Sequence, residues 1–268
     1  MGTTGNNDDQ KRYPPFLKNG SKELSSRFPF ISRSFVPSVF TVMNMVSGYI
    51  AIIMSGEGSF IAACWFIILA SFFDTVDGFV ARATKGTSDF GVELDSLSDL
   101  VSFGAAPAYL VYKFGLESLP GKAGICVSSL LMIGSGLRLA RFNINMIGYK
   151  KESFSGLPTP AQALTIVGFV LWMSGTPVFP VPLMQNILAV LSIALALLMV
   201  SKVNYDALPK PTVDSFRQQP VQMTLYIMAL FCVLLFHAKA FFLAMLLYIL
   251  LGVVRSITLL WRRRQWQA

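Results

Sequence analysis

The chain has 268 residues, of which 54% are hydrophobic and only 13% are charged, and its formal net charge is +8. Soluble domains carry about 25% charged residues, so this composition, with a mean hydropathy of +0.58, excludes an ordinary soluble protein. The three cysteines lie far apart in apolar runs, which excludes a disulfide framework and a zinc-binding spacing. The composition therefore indicates a membrane protein that crosses the bilayer several times.

The predicted elements begin after a polar, basic segment at residues 1–33, which we interpret as a cytosolic tail. A membrane-spanning helix needs about 20 mainly apolar residues. Segments rich in glycine or proline separate most of the apolar stretches that meet this requirement. The prediction is an all-α integral membrane protein of about eight transmembrane helices. They lie near residues 35–55, 59–83, 89–114, 122–146, 157–175, 181–201, 219–237 and 239–261.

The distribution of lysine and arginine predicts the orientation of these helices. If the helices alternate in direction, nineteen of the twenty-two basic residues fall on the side of the N-terminus. Only Lys113, Lys122 and Lys239 fall on the other side. Cytosolic loops carry an excess of lysine and arginine, so we expect an even number of helices and both termini in the cytosol.

Four carboxylates, Asp74, Asp77, Asp95 and Asp99, stand in this apolar sequence at the predicted cytosolic ends of the second and third helices. Ionisable groups in such segments are costly and indicate function. The spacings of three and four residues place each pair on one face of its helix. Two helices that present two carboxylates each can surround hard divalent cations, which prefer oxygen ligands. The pattern predicts a metal site at the cytosolic face.

The residues around the carboxylates suit a pyrophosphate. Gly78 and Ala81 are small, so a ligand can approach the helix backbone closely. Arg82 follows Asp77 by five positions and can bind a phosphate through two hydrogen bonds, and Ser88 adds a donor in the next turn. Magnesium is commonly held by carboxylates together with substrate phosphates, and phosphoryl transfer depends mainly on positioning and charge neutralisation.

The whole frame resembles the signature of the CDP-alcohol phosphotransferases. It reads Asp74-x2-Asp77-Gly78-x2-Ala81-Arg82-x8-Gly91-x3-Asp95-x3-Asp99 and departs from the family pattern at none of its eight fixed positions. A segment in the first helix, Pro37 to Asn44, is similar to another family motif. Three further segments resemble the phosphatidylserine synthase branch of the family: Asp95 to Ala108, Arg138 to Asn143, and Phe154 to Ala161.

The resemblance implies the role of each candidate site residue. Two divalent ions, Mg²⁺ or Mn²⁺, would be held by the four aspartates, and Asp99 would also take the proton from the acceptor alcohol. The remaining candidates divide into two groups. CDP-diacylglycerol would contact Thr41, Asn44, Gly78, Ala81, Arg82 and Ser88, and the acceptor or the lipid phosphate would contact Arg138, Arg141 and Asn143.

The resemblance also implies the reaction, which is transfer of a phosphatidyl group from CDP-diacylglycerol to L-serine with release of CMP. It implies membrane lipids and a second copy of the chain as partners, and no nucleic acid. On this interpretation residues 34–201 form a six-helix catalytic membrane domain. Residues 202–218 form a cytosolic loop, and 219–268 add two transmembrane helices and a basic C-terminus.

Several alternatives stay open at the level of sequence. The acceptor could be inositol phosphate or glycerol phosphate, or the donor an archaeal lipid. Paired acids on helices could also belong to a cation-coupled transporter, although the acidic frame has no repeat in residues 140–268. Arg138 and Arg141 could be ordinary positive residues at the cytosolic end of a helix, and Asn44 could simply bond to a neighbouring helix.

Overall fold

The computed structural model of the chain describes residues 35–84, 89–147, 156–175, 178–201, 203, 238–256 and 258. All regular secondary structure in these ranges is helical, and they contain no strand, which confirms the predicted all-α fold. The helices are α1 Phe35–Gly56, α2 Phe60–Thr84, α3 Asp89–Asp99, α4 Ala106–Phe114, α5 Ala123–Ile147, α6 Thr159–Gly175, α7 Val181–Val200 and α8 Ala238–Ser256.

Five of these helices are long and apolar enough to cross a membrane, judged by length and composition: α1, α2, α5, α7 and α8. A π-helical segment joins α3 to α4 without a break, so these elements form one helical stretch over 89–114. The 17 residues of α6 contain no charged side chain and extend over about 25 Å. The helices fall at seven of the eight predicted positions, and the predicted helix at 219–237 lies outside the described residues.

Small side chains bring α1 into close contact with its neighbours. α1 packs along α2 and also contacts the stretch from α3 to α4. Ala51, Ala63 and Ala70 are completely buried. At Gly48, a Cβ atom would lie 2.6 Å from the Cα atom of Ser102, so only glycine permits this approach. Small residues allow membrane helices to pack backbone against backbone, and here they place α1 beside the acidic residues of α2 and α3.

The π-helical segment Leu100–Ala105 follows directly after Asp99. Pro107 lies in the first turn of α4, where it lacks an N–H and its ring crowds the carbonyl group four residues earlier. That carbonyl belongs to Phe103, and it accepts a hydrogen bond from Ser135 Oγ of α5 at 3.4 Å. The wider turn thus accommodates proline inside a buried helix. The sequence predicted one helical stretch here, and Pro107 was the signal for its irregularity.

The start of α6 is fixed to the end of α7. Gly156 has a φ of +98°, a conformation that favours glycine. Its N–H donates to the carbonyl oxygen of Val203 at 2.8 Å, and the N–H of Leu157 donates to that of Leu198 at 3.1 Å. The glycine of the Phe154 to Ala161 motif is therefore required by the backbone, where the chain enters α6.

The last described helix, α8, packs against α6. Phe242 contacts Phe169 and Trp172 with ring centroids 5.4 and 5.7 Å apart. Lys239 lies 5.8 Å from the centroid of the Trp172 ring, a cation–π distance. A Cβ atom at Gly168 would come 3.1 Å from the Cα atom of Phe242. Lys239 contacts Trp172, and the later residue Phe242 contacts the earlier residue Phe169. The two helices therefore run antiparallel.

Candidate metal and nucleotide site

Three carboxylates meet where α2 faces α3. One carboxylate oxygen from each of Asp74, Asp95 and Asp99 lies within 4.8 Å of the other two, and all three residues are half-buried. Asp95 and Asp99 are one helical turn apart, so they share a face of α3, and Asp74 approaches them from the last turns of α2. The tertiary structure therefore brings together three of the four carboxylates that the sequence singled out.

The fourth carboxylate, Asp77, has a different environment. Its side chain is only 6% exposed, and its Oδ2 accepts a hydrogen bond from the buried hydroxyl of Thr41 on α1. Asp77 is not part of the group of carboxylates within 4.8 Å of one another. It lies one turn after Asp74 on α2, so it can serve as a ligand at the edge of the same site.

Side chains of α1 and α3 connect the two helices by hydrogen bonds. Asn44 Nδ2 donates to Asp99 Oδ1 at 3.3 Å. In the opposite direction, Ser98 Oγ donates to the carbonyl oxygen of Thr41 at 2.9 Å, and Ser102 Oγ donates to that of Asn44 at 2.8 Å. Four of these five polar residues are buried, namely Thr41, Asn44, Ser98 and Ser102. Thr41 and Asn44 of α1 each donate a side-chain hydrogen bond to a carboxylate. The backbone carbonyl of each also accepts a hydrogen bond from a serine hydroxyl.

The two serines of this network were not predicted from the sequence. Ser98 and Ser102 stand four positions apart and follow Asp95 and Asp99 by three positions each, so they lie on the same side of this helical stretch as the carboxylates. Two hydroxyl groups at this spacing in an apolar helix were the available signal. The alternative reading of Asn44, that it bonds to a neighbouring helix, agrees with its contact to Asp99.

The donor set fits divalent cations. Carboxylates so close together repel each other strongly in surroundings of low polarity, and a cation between them removes this repulsion. Oxygen atoms of carboxylates are the ligands that Mg²⁺ and similar hard ions prefer. Among the described residues, no histidine or cysteine belongs to the cluster, which argues against a site of the zinc type.

The predicted nucleotide contacts are only partly described. Gly78 directly follows Asp77 on α2 and is half-buried, so its backbone is accessible beside the carboxylates. Ala81 and Arg82 belong to the last turns of α2, but their side chains lie outside the described part of the structure, as does Ser88. Their roles therefore stay predictions.

Among the basic residues whose side chains the structure describes, Arg138 interacts with the acidic cluster. Its guanidinium group and the Asp99 carboxylate attract each other electrostatically. Its Nη1 lies 3.5 Å from the hydroxyl oxygen of Thr159 at the start of α6. Its Nε is buried and has no hydrogen-bond partner among the described residues. This arginine connects α5 to α6 and interacts with the acidic site, and its role in binding the acceptor stays a prediction.

Arg141 and Asn143 have structural partners. Arg141 Nη1 donates to the carbonyl oxygen of Val200, the last residue of α7, at 3.1 Å; such bonds satisfy carbonyl groups that a helix end leaves unpaired. Asn143 Nδ2 donates to Ser96 Oγ at 3.0 Å, which ties α5 to α3 beside Asp95. Of the three predicted acceptor residues, only Arg138 is described in interaction with the acidic cluster, and a role for the other two in binding the acceptor stays a prediction.

Comparison with known proteins agrees with this geometry. Residues 34–200 match the family model described as CDP-alcohol phosphatidyltransferase, a range that contains the acidic cluster, α1 and α5 to α7. The chain is similar to a CDP-diacylglycerol–serine O-phosphatidyltransferase of Helicobacter pylori, with 33% identity over 227 residues, or 84% of this chain and 92% of the relative.

Two further relatives match shorter parts of this chain. An archaetidylserine synthase of Methanothermobacter thermautotrophicus is 39% identical over 173 residues, which cover 63% of this chain and 69% of the relative. A CDP-diacylglycerol–serine O-phosphatidyltransferase of Bacillus subtilis is 32% identical over 182 residues, 68% of this chain and 96% of the relative. The names of all three relatives contain serine.

Proposed function

Because the chain belongs to the CDP-alcohol phosphatidyltransferase family, we propose that it transfers a phosphatidyl group from CDP-diacylglycerol to L-serine, which yields phosphatidylserine and CMP. The observation that carries the proposal is the cluster of three carboxylates on α2 and α3, within the residues that match the family. The names of the relatives support serine as the acceptor over inositol phosphate or glycerol phosphate.

Asp99 is the general base in this proposal. The serine hydroxyl oxygen attacks the phosphorus atom that bears the diacylglycerol, and the bond from that phosphorus to the oxygen of CMP breaks. The hydroxyl proton passes to Asp99, because a neutral hydroxyl is a weak nucleophile and needs a base. Asn44 holds one oxygen of Asp99 through its amide N–H, so the other oxygen is the one we expect to accept the proton.

The aspartates are also the proposed ligands of two divalent ions, Mg²⁺ or Mn²⁺. Asp74, Asp95 and Asp99 offer oxygens within 4.8 Å of one another, and Asp77 adds a carboxylate one turn away. Ions bound by these residues would supply positive charge to the pyrophosphate of the donor. The hydrogen bonds from Thr41 and Asn44 hold two of the four carboxylates in place before any ion binds.

The donor is proposed to lie along the cytosolic end of α2. Gly78 and Ala81 leave room for the cytidine beside the backbone, and Arg82 and Ser88 supply donors for the pyrophosphate. The acyl chains would extend into the bilayer between the helices. The distribution of basic residues supports a cytosolic active site with both termini on the same side, and the family resemblance supports a homodimer.

The test is an acceptor panel. Purified protein in detergent or vesicles is incubated with CDP-diacylglycerol and with L-serine, inositol phosphate or glycerol 3-phosphate, and CMP release is measured. We expect release with L-serine and little with the phosphorylated alcohols. Rapid release with a phosphorylated alcohol and none with serine would overturn the acceptor and leave the reaction class intact.

A further inference from the structure

A second group of buried polar atoms lies apart from the carboxylates, on α6. Gln162 has no exposed surface, and neither its Oε1 nor its Nε2 has a hydrogen-bond partner among the described residues. A buried amide without hydrogen-bond partners destabilises the folded protein. Buried polar groups are almost always bonded to protein, water or ligand, so this glutamine indicates a ligand that supplies both donors and acceptors.

Thr159 connects the helix that carries Gln162 to Arg138. Thr159 and Gln162 are three positions apart on α6, which places them on one side of the helix. The hydroxyl oxygen of Thr159 is 3.5 Å from Arg138 Nη1, and Arg138 Nε is also buried with no partner in the described part of the chain. Thr159 is therefore in contact with the arginine fork and stands about one turn before Gln162 on the same side of α6.

Tyr248 of α8 lies at the same level along the helix axes as Gln162 of α6. Phe242 packs at the level of Gly168 and Phe169, and the two helices are antiparallel. Six residues further along α8, Tyr248 consequently stands level with residues 162–163 of α6, since both helices rise about 1.5 Å per residue. Its hydroxyl is buried, and it interacts electrostatically with Arg138.

We propose that Gln162 and Tyr248 complete, with Arg138, the site that binds the carboxylate end of the acceptor. The inference rests on the proposed function and names the residues that recognise the acceptor. Arg138 offers its fork to the carboxylate. The amide of Gln162 donates to a carboxylate oxygen and accepts from the ammonium group, and the hydroxyl of Tyr248 borders the same ligand.

The position of this site suits the reaction. The Arg138 guanidinium and the carboxylate of Asp99, the proposed base, attract each other, so we expect an amino acid whose carboxylate binds to Arg138 to place its hydroxyl group on the side of Asp99. An inositol or glycerol phosphate would require more positive charge than one arginine beside a neutral amide. Tyr248 lies outside residues 34–200, which match the family model, so part of the acceptor selectivity comes from a helix added to the family core.

The experiment compares near-isosteric variants of the full chain. Gln162→Glu and Tyr248→Phe preserve size, and the added carboxylate of the first repels the acceptor's own. Matched controls are Thr165→Val on α6, where the hydroxyl donates only within its own helix at 2.7 Å, and Met245→Leu, nearly one turn before Tyr248. For each protein, kcat and KM are measured for L-serine and for CDP-diacylglycerol, and the thermal midpoint confirms folding.

We expect the KM for serine to rise about tenfold or more in Gln162→Glu and about threefold in Tyr248→Phe, which are typical costs of lost or repulsive polar contacts. The KM for CDP-diacylglycerol stays within about twofold, and both controls resemble the wild type. A rise in the KM for CDP-diacylglycerol alone would assign these residues to the lipid phosphate and overturn the inference. The inference would also be overturned if both variants fold and keep the KM for serine of the wild type, provided that the wild type uses serine. Failure of the wild type to use serine overturns the proposed function first.

Discussion

The acidic site and the region around Arg138 use buried polar groups in opposite ways. Where α1 meets α2 and α3, Thr41, Ser98 and Ser102 are all hydrogen-bonded across helices, and one amide oxygen, Asn44 Oδ1, has no partner in the described structure. Around Arg138, both amide atoms of Gln162 and the Nε of the arginine itself have none there. A satisfied network is rigid and preorganised, whereas unsatisfied groups retain their capacity for a ligand.

This difference predicts which kinetic constants each region controls. The acidic site holds its carboxylates before substrates arrive, so changes there should mainly lower kcat. The region around Arg138 should instead control the KM for the acceptor, as the variants of Gln162 and Tyr248 test.

The largest expected effect is the removal of divalent ions. We expect activity to disappear in excess EDTA and to return with Mg²⁺ or Mn²⁺, because carboxylates within 4.8 Å of one another cannot share a site with a pyrophosphate without positive charge. CMP release is measured after metal-free purification. Full activity under chelation would contradict the assignment of these aspartates as metal ligands.

Loss of the proposed base comes next. Asp99→Asn should lower kcat by about 10²–10⁴-fold, the usual contribution of a general base, and should leave CDP-diacylglycerol binding largely intact. Asp74→Asn is the comparison, since it should weaken both metal binding and turnover. Titration of the metal requirement separates the two variants. Near-normal turnover of Asp99→Asn would assign the base to another residue.

A smaller effect is expected at the residue that orients the base. Asn44→Leu removes the hydrogen bond to Asp99 and should reduce kcat about tenfold, which corresponds to one hydrogen bond to a charged group, with the KM for serine unchanged. Ser47→Ala is the matched control, because Ser47 donates only to Met43 within α1. A rise in the KM for serine in Asn44→Leu would contradict the division between the two regions, because it would indicate that Asn44 contacts the acceptor.

The smallest effect concerns folding alone. Ser135→Ala removes the donor to the Phe103 carbonyl beside Pro107 and should lower the free energy of unfolding by about 1 kcal/mol, with little change in kcat or KM. Ser128→Ala, which loses a bond only to Ile125 of the same helix, should change the stability less. Thermal unfolding in one detergent compares the two. Equal stability of both variants would show that the π-helical segment does not depend on Ser135.

The sequence by itself determined the helical fold and the acidic frame. Apolar stretches of sufficient length predict helices because a bilayer core leaves no other partner for backbone groups. The spacing of Asp95 and Asp99 places them on one face because the helix has a fixed period. The positive charges of the connecting segments predict an orientation in the membrane, and this stays a prediction. Each of these properties depends on residues close together in the chain.

Only the tertiary structure decided which distant side chains meet. Nothing in the local pattern tells that Asn44 reaches Asp99, that Ser135 bonds to Phe103, or that Arg141 bonds to the end of α7. These contacts depend on the relative rotation and depth of packed helices, which small residues such as Gly48 set by close approach. The same holds for Gln162 and Tyr248, because the antiparallel packing of α6 and α8 alone brings them to one level.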